Sequence, residues 1–271
     1  MVIDFHTHVF PDKIAEKTIN FLAEKANIPP FSNGTVNSLV EKMEEAGVDI
    51  SITLPIVTKP SQFDSINNFA IGINETFKNS KRKLISFGGI HPRCEDIEGK
   101  MQFIHEKGLL GVKIHPDYQG CFINDDGYFR ILEAAKKYDL IVVTHSGVDV
   151  GFPGEPVKCT PTLVRELIDS VNHKKFVLAH YGANFMFDEV YDLLCGKDVY
   201  FDTAYNLRFI EEPTFKKILD KHGEDKILFA TDSPWSGIKG DLEILRSFML
   251  PKEAEEKILY KNALSLLGNK I

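Results

Sequence analysis

The stretch VIDFHTHVF, residues 2–10, decides how the rest of the chain is read. Its β-branched and aromatic residues favour a short strand. A strand sends alternate side chains to one face, so His6 and His8 aim their imidazoles into the same space. Converging neutral imidazoles make the start of a metal site. The plainer alternative has one histidine capping a carbonyl and the other in solvent, and the two divide on where the other polar residues fall.

Outward from this stretch, short apolar runs followed by longer amphipathic ones recur eight times. Strands are predicted at 2–9, 50–56, 84–90, 109–115, 140–144, 176–179, 199–203 and 227–231. Between them SLVEKMEEAG (38–47), YFRILEAAKKYD (128–139), TPTLVRELIDSV (160–171) and PTFKKILDKHG (213–223) repeat apolar residues at helical spacing. Alternating strands and helices imply a parallel sheet with right-handed crossovers. Eight units in roughly 250 residues fit a closed TIM (β/α)8 barrel of the α/β class better than the runner-up, an open doubly wound sheet. No glycine-rich phosphate loop follows the first strand, where residues 4–11 read DFHTHVFP, and nucleotide folds lose ground. Asn27 to Gly34, with Pro29 and Pro30, reads as a loop and not a boundary, so a single domain over 1–271 is expected.

Composition bounds the function. The 271 residues are 43% apolar and 26% charged, enough for one large core. Cys94, Cys121, Cys159 and Cys195 are scattered without a CxxC pair, which suits a reducing cytoplasm. A strand that begins at Val2 leaves no room for a secretory leader, and a cytoplasmic location is expected. No apolar run approaches the roughly 18 residues of a membrane span. A net charge of −7 opposes loose binding to phosphate backbones. The expected partner is a small-molecule substrate, with neither nucleic acid nor membrane.

What weakens the plainer alternative for His6 and His8 is that His91, His115, His145, His180 and Asp232 each end a predicted strand. In a closed parallel barrel all such ends share one mouth. His145, in IVVTHSG, supplies a third nitrogen. Asp232, in ILFATDSPW, supplies a carboxylate that would otherwise serve only an Asx turn. His6, His8, His145 and Asp232 suit one divalent ion, zinc first and manganese or iron(II) next, with a position left for water. His180, in FVLAHYG, is a catalytic acid or base or a further ligand. Lys113 and His115, in GVKIHP, share one strand face and bind substrate or a second ion, the lysine as a carbamate. Asp202 and His91 are candidates for supporting the ligands, Trp235 and Tyr205 for lining the pocket. His105, His173 and His222 lie in helical or turn segments and read as surface residues.

This set resembles the amidohydrolase superfamily, and most closely its branch of small barrels named after the aminocarboxymuconate-semialdehyde decarboxylases. The matching pieces are the HTH triplet, GGIHP, GVKIHP, THSG, AHYG, ATDSPW and the ending ILYKNALSLLG, and they span nearly the whole chain. The resemblance implies that His6, His8, His145 and Asp232 hold the metal and that His180 is catalytic or binds a second metal. The KIHP element is similar to a stretch of dihydroorotases whose lysine is carbamylated, but His115 stands where those have tyrosine. The resemblance also implies a homodimer.

The expected activity is hydrolysis of an amide, lactone or ester by a metal-activated water, with Asp232 moving the proton and His180 polarising the carbonyl. The alternative in the same fold is non-oxidative decarboxylation, for which Arg93 and Arg208 are the candidate grips on an acid group. A noncatalytic metal-binding barrel is the alternative of another class. None of the four cysteines joins the ligand set, as they would in a closed structural zinc site.

Overall fold

The computed structural model describes residues 1–268, and the last three positions of the expected domain lie outside the described residues. Eight parallel strands form one ring. They are β1 (Ile3–Thr7), β2 (Ile50–Thr53), β3 (Lys83–Ser86, continued by Gly88–Gly89), β4 (Gly111–Ile114), β5 (Ile141–Thr144), β6 (Phe176–Leu178), β7 (Tyr200–Asp202) and β8 (Ile227–Leu228). The first segment of β3 pairs with β2 and the second with β4, so Phe87 is a joint and not a gap. The ring closes between β8 and β1, where Phe5 N donates to Phe229 O at 2.9 Å and Asp232 N to His6 O at 2.8 Å. The protein is a TIM barrel, as the strand count predicted.

Helices cover the outside. Those at Val36–Ala46, Asp126–Lys137, Pro161–Val171 and Glu212–His222 lie within two residues of the predicted amphipathic stretches. Thr35 and Thr160 start two of them, each side-chain oxygen accepting from the backbone N–H three residues on. The apolar residues separate into a shell between sheet and helices and a second cluster in the barrel interior. The final helix, Asn262–Leu267, contributes Ala263, Leu266 and Leu267 to the inner cluster. Among the described residues no helix is long and apolar enough to cross a membrane.

Two local departures from regularity matter for the mouth. The β1–β2 register shifts between Asp4 and Thr7. Ile3 and Phe5 therefore pack in the inner cluster below, while His6 still faces inward above them. Gly147, in the THSG stretch, has φ +85° and lies so close to Asn184 that an added Cβ would sit 2.1 Å from its backbone N. Only glycine lets the loops after β5 and β6 pair there.

Two histidines read as surface residues are buried. His173 places Nε2 2.9 Å from Leu140 O, and His222 places Nε2 3.0 Å from Val199 O while Nδ1 accepts from Gly196 N. The charged neighbours are exposed, but the imidazoles satisfy carbonyls that strand ends leave free. His105 is exposed as expected. Burial pushes His222 down from 6.5 to about 4. The fold thus holds the neutral ring: this contribution is complete above pH 6.5 and is lost as the pH falls toward 4. We expect denaturant unfolding to show about 3 kcal/mol less pH-dependent loss between pH 7 and 4 in His222→Gln than in the parent chain. Equal losses would place the acid sensitivity elsewhere.

Candidate metal centre

At the C-terminal end of β1, the two histidines have fixed orientations. His6 Nδ1 lies 2.9 Å from Asp202 Oδ2, and His8 Nδ1 lies 2.8 Å from Leu54 O. Both partners only accept, so each Nδ1 carries the ring proton and each Nε2 a lone pair. These two Nε2 atoms are 3.2 Å apart, and Asp232 Oδ1 is 3.4 Å from the first and 3.1 Å from the second. Three acceptors converge, and among the described residues only Lys113 Nζ, 3.1 Å from His6 Nε2, brings protons to them. Such a set is repulsive without a cation and fits a divalent one. His6, His8 and Asp232 form a candidate metal cluster.

His145 lies elsewhere in the same mouth. Its Nδ1 is 2.8 Å from His180 Nε2, and its ring stacks on that of His115 at 4.1 Å with 7° between planes. His115 Nε2 lies 3.4 Å from Asp149 Oδ2, and His115, His145 and Asp149 form a second cluster of ligand-type atoms. Imidazole lone pairs lie in the ring plane, so parallel stacked rings cannot both point at one ion. The structure gathers three of the four expected ligands and sets the fourth with His180.

Asp202 ends β7 and accepts three times, from His6 Nδ1, His180 N and Ala204 N. It orients two histidines from one buried carboxylate. His91 is buried, but its Nδ1 accepts from Arg93 N inside its own turn. Arg93 is exposed and donates to Gly120 O at 3.4 Å. Arg208 lies over the rings of Tyr205, Phe209 and Phe31 and donates to Trp235 O. Lys113 is therefore the buried cation beside the triad, at 1% exposure. Asp117 and Asp149, which the sequence did not single out, belong to the mouth. Their signal was weak: Asp117 follows a strand-end histidine by two residues, in the one-turn helix Pro116–Gln119, and Asp149 follows one by four, in a loop.

Burial sets the protonation states. It holds His6 well below its usual value, helped by the Lys113 ammonium, and holds His115 and His145 down likewise. Burial would raise Asp232, but the facing His6 and His8 outweigh it and keep the carboxylate at about 2. Burial lowers Lys113 to about 8 against the pull of Asp202 and Asp232. Asp117 and Asp149 are each raised by burial to about 6. The site thus holds an ionised Asp232 carboxylate, imidazoles of His6, His115 and His145 disfavoured as cations, and a Lys113 still mostly protonated at pH 7.

A family model described as amidohydrolase matches residues 3–268. The sequence comparison with curated proteins gives no match. Among solved structures, the 5-carboxyvanillate decarboxylase from Sphingomonas paucimobilis is 13% identical, with 98% of each chain covered and a TM-score of 0.69. A dihydroxybenzoic acid decarboxylase from Polaromonas with bound manganese is 14% identical, covering 98% of this chain and 96% of its own, at 0.70. A TIM-barrel protein from Bordetella bronchiseptica is 15% identical, with 98% of each chain covered, at 0.74. These likenesses bear out the fold.

Replacing His6 and His8 together by alanine should abolish tight divalent-metal binding to this triad while far-UV circular dichroism stays that of the folded barrel. Unchanged affinity would remove the triad as the metal centre.

Proposed function

Because the chain belongs to the amidohydrolase family, we propose that it is a metal-dependent enzyme acting on a small carboxylic acid, and that it breaks the bond between the carboxyl carbon and the rest of the molecule. The observation that carries this reading is the meeting of His6 Nε2, His8 Nε2 and Asp232 Oδ1 with the buried Lys113 ammonium in one mouth. When bound there, a divalent ion supplies Lewis acidity that polarises a substrate oxygen. Zinc is the ion proposed from the ligand types, with manganese next.

The chain's own groups divide the remaining work. Asp232, ionised, accepts a proton from an oxygen of the substrate next to the scissile bond. Lys113, at about 8, is protonated at neutral pH and offers both a positive charge for the acid group and a proton for the carbon. Two groups with pKa values pushed apart by their surroundings form an acid and base pair. The carbon–carbon bond breaks, carbon dioxide leaves, and the electron pair left on the carbon takes the proton from Lys113. Support for decarboxylation over the hydrolysis favoured by sequence comes from the two matched structures whose enzymes decarboxylate aromatic acids.

Hydrolysis of an amide, lactone or ester is the second reading, and one observation favours it. Arg93 is exposed and donates to Gly120 O, and Arg208 is stacked on three rings and donates to Trp235 O, so neither is bonded to the triad as Lys113 is. In that reaction Asp232 takes the proton of an attacking water and returns it to the leaving group. We place either enzyme in the cytoplasm, since all four cysteines are free thiols.

The test is a panel of hydroxylated aromatic and unsaturated carboxylic acids, lactones, amides and esters offered to the metal-loaded protein. Carbon dioxide release is expected, and Lys113→Met should lower its kcat by about 100-fold or more while the triad still binds its ion. Lactone or amide cleavage without carbon dioxide would transfer the assignment to hydrolysis. A metal-loaded chain with no turnover across the panel would favour the noncatalytic barrel.

A further inference from the structure

The reacting groups of the mouth are nearly closed off from water. Lys113 is 1% exposed, His115 6% and Asp232 8%, so a small carboxylic acid reaches them only if something above them moves. Residues 149–157, in the loop after β5, are built to do so. The ends of this loop are pinned: Gly147 N donates to Cys159 O at 2.8 Å, Val148 N to Asn184 O at 3.0 Å, and Ile123 N to Lys158 O at 2.8 Å. Between those ends, among the described residues, the backbone bonds stay inside the loop. Phe152 N donates to Asp149 O, Glu155 N to Phe152 O, and Gly151 N to Asp149 Oδ1. Neighbouring ends and internal bonds make a compact Ω-loop, which can swing on its ends without giving up a backbone bond to the barrel.

Side chains hold the loop down. Asp149 Oδ2 lies 3.4 Å from His115 Nε2, and the Phe152 ring meets that of Tyr118 edge-on at 4.9 Å. Tyr118 in turn meets His115 edge-on at 4.8 Å, so the loop covers the His115 and His145 side of the mouth. A third contact comes from elsewhere in the chain. Lys25 lies in the last turn of the helix Asp12–Ala26, which follows β1. Its ammonium is 3.3 Å from the centre of the Phe152 ring and 4.8 Å from that of Tyr118. In a ring of eight strands β1 and β5 stand opposite each other, so this contact ties together two arms that rise from facing sides of the mouth. Lys25 and Phe152 are both half-buried, and water is at hand to take up the ammonium when the two part.

We propose that residues 149–157 form a lid over the mouth and that Lys25, laid on the face of Phe152, is its latch, so that substrate enters when the cation leaves the ring. The inference rests on the mouth being the site of reaction and not on which bond is cleaved. Lys25 touches none of the reacting groups. What it sets is the fraction of time the mouth stands open, and with it how well water is shut out once the loop has closed over a bound acid. A cation over a ring suits a latch because the attraction is modest and neither partner is left unsatisfied when it breaks.

The experiment measures how often the mouth opens. Diethyl pyrocarbonate, which acylates neutral imidazoles that it can reach, is added to the zinc-loaded protein, and mass spectrometry of the peptides follows each histidine. In the parent chain His115, beneath the lid, is expected to react far more slowly than the exposed His105. Lys25→Met, which removes the charge and keeps the length, should label His115 about 2- to 30-fold faster, the factor lost with a cation–π contact. Phe152→Leu should do the same, while Lys25→Arg, which keeps a cation, stays with the parent. His173, buried beside Leu140 O at the other end of the barrel, should react at one rate in all four chains. His115 labelled as fast as His105 in the parent would overturn the lid. Unchanged labelling of His115 in Lys25→Met and Phe152→Leu, or Lys25→Arg as fast as Lys25→Met, would overturn the latch. A joint rise of His115 and His173 would mean general loosening and overturn both. Failure of the enzymatic reading would look different, as no turnover of any substrate with the labelling pattern intact.

Discussion

The hydrogen bond from Asp232 N to His6 O, 2.8 Å long, closes the sheet and assembles the site in one step. In a parallel sheet every strand's C-terminal end faces the same way, but in an open sheet the first and last strands would lie at opposite edges. Only closure brings the ligands of β1 and the carboxylate after β8 into contact. The seam continues on either side, with Phe5 N donating to Phe229 O and His8 N to Ser233 O. Below it, the inner apolar cluster and the final helix fill the barrel, so the polar groups are confined to the mouth.

The mouth is held by backbone that is itself under constraint. His180, Tyr181, Tyr205 and Asp232 all have positive φ, between 56° and 66°. For residues other than glycine this conformation costs on the order of 1 kcal/mol or more each. The surroundings over-determine it: Tyr181 N donates to Asp202 O, and Trp235 N to Asp232 O. The turns after β6, β7 and β8 thus give up some stability to aim His180 and Asp232 inward. Asp202 sits at the centre of this arrangement, tying His6 on β1 to His180 after β6 through a single buried carboxylate.

The fold was legible because its signal is repeated. Each strand is a short β-branched run and each helix an amphipathic one, so an error at one boundary leaves the count of eight intact. His6, His8 and Asp232 were legible because they lie at strand ends, whose place in a barrel is fixed by topology. Other features depend on contacts that no local pattern records. The register shift between Asp4 and Thr7 puts Phe5 and His6 on the same side, against strict alternation. Asp117, in the one-turn helix Pro116–Gln119, and Asp149, in a loop, have side chains that turn back toward His145 and His115. Arg208 ends a strand's loop as expected, yet three aromatic rings capture its guanidinium. His173 and His222 have charged neighbours in sequence and carbonyl partners in space.

The same burial that makes the site selective makes it dependent on cations. Taking Asp117, Asp149, Asp202 and Asp232 out of water penalises their charged forms, and three of the four are raised in consequence. Asp232 alone is held low, because imidazoles face it. Lys113 offsets one charge at most, and its own burial works against even that. An ion that binds this mouth therefore relieves repulsion among groups that the barrel has already brought together, and it does so at the seam between β8 and β1. Since such an ion binds the closed ring and has no preformed site in the unfolded chain, its binding free energy adds to the stability of the closure itself. The chemistry of the mouth and the integrity of the barrel are in this sense one property, fixed by the contacts between residues at the two ends of the chain.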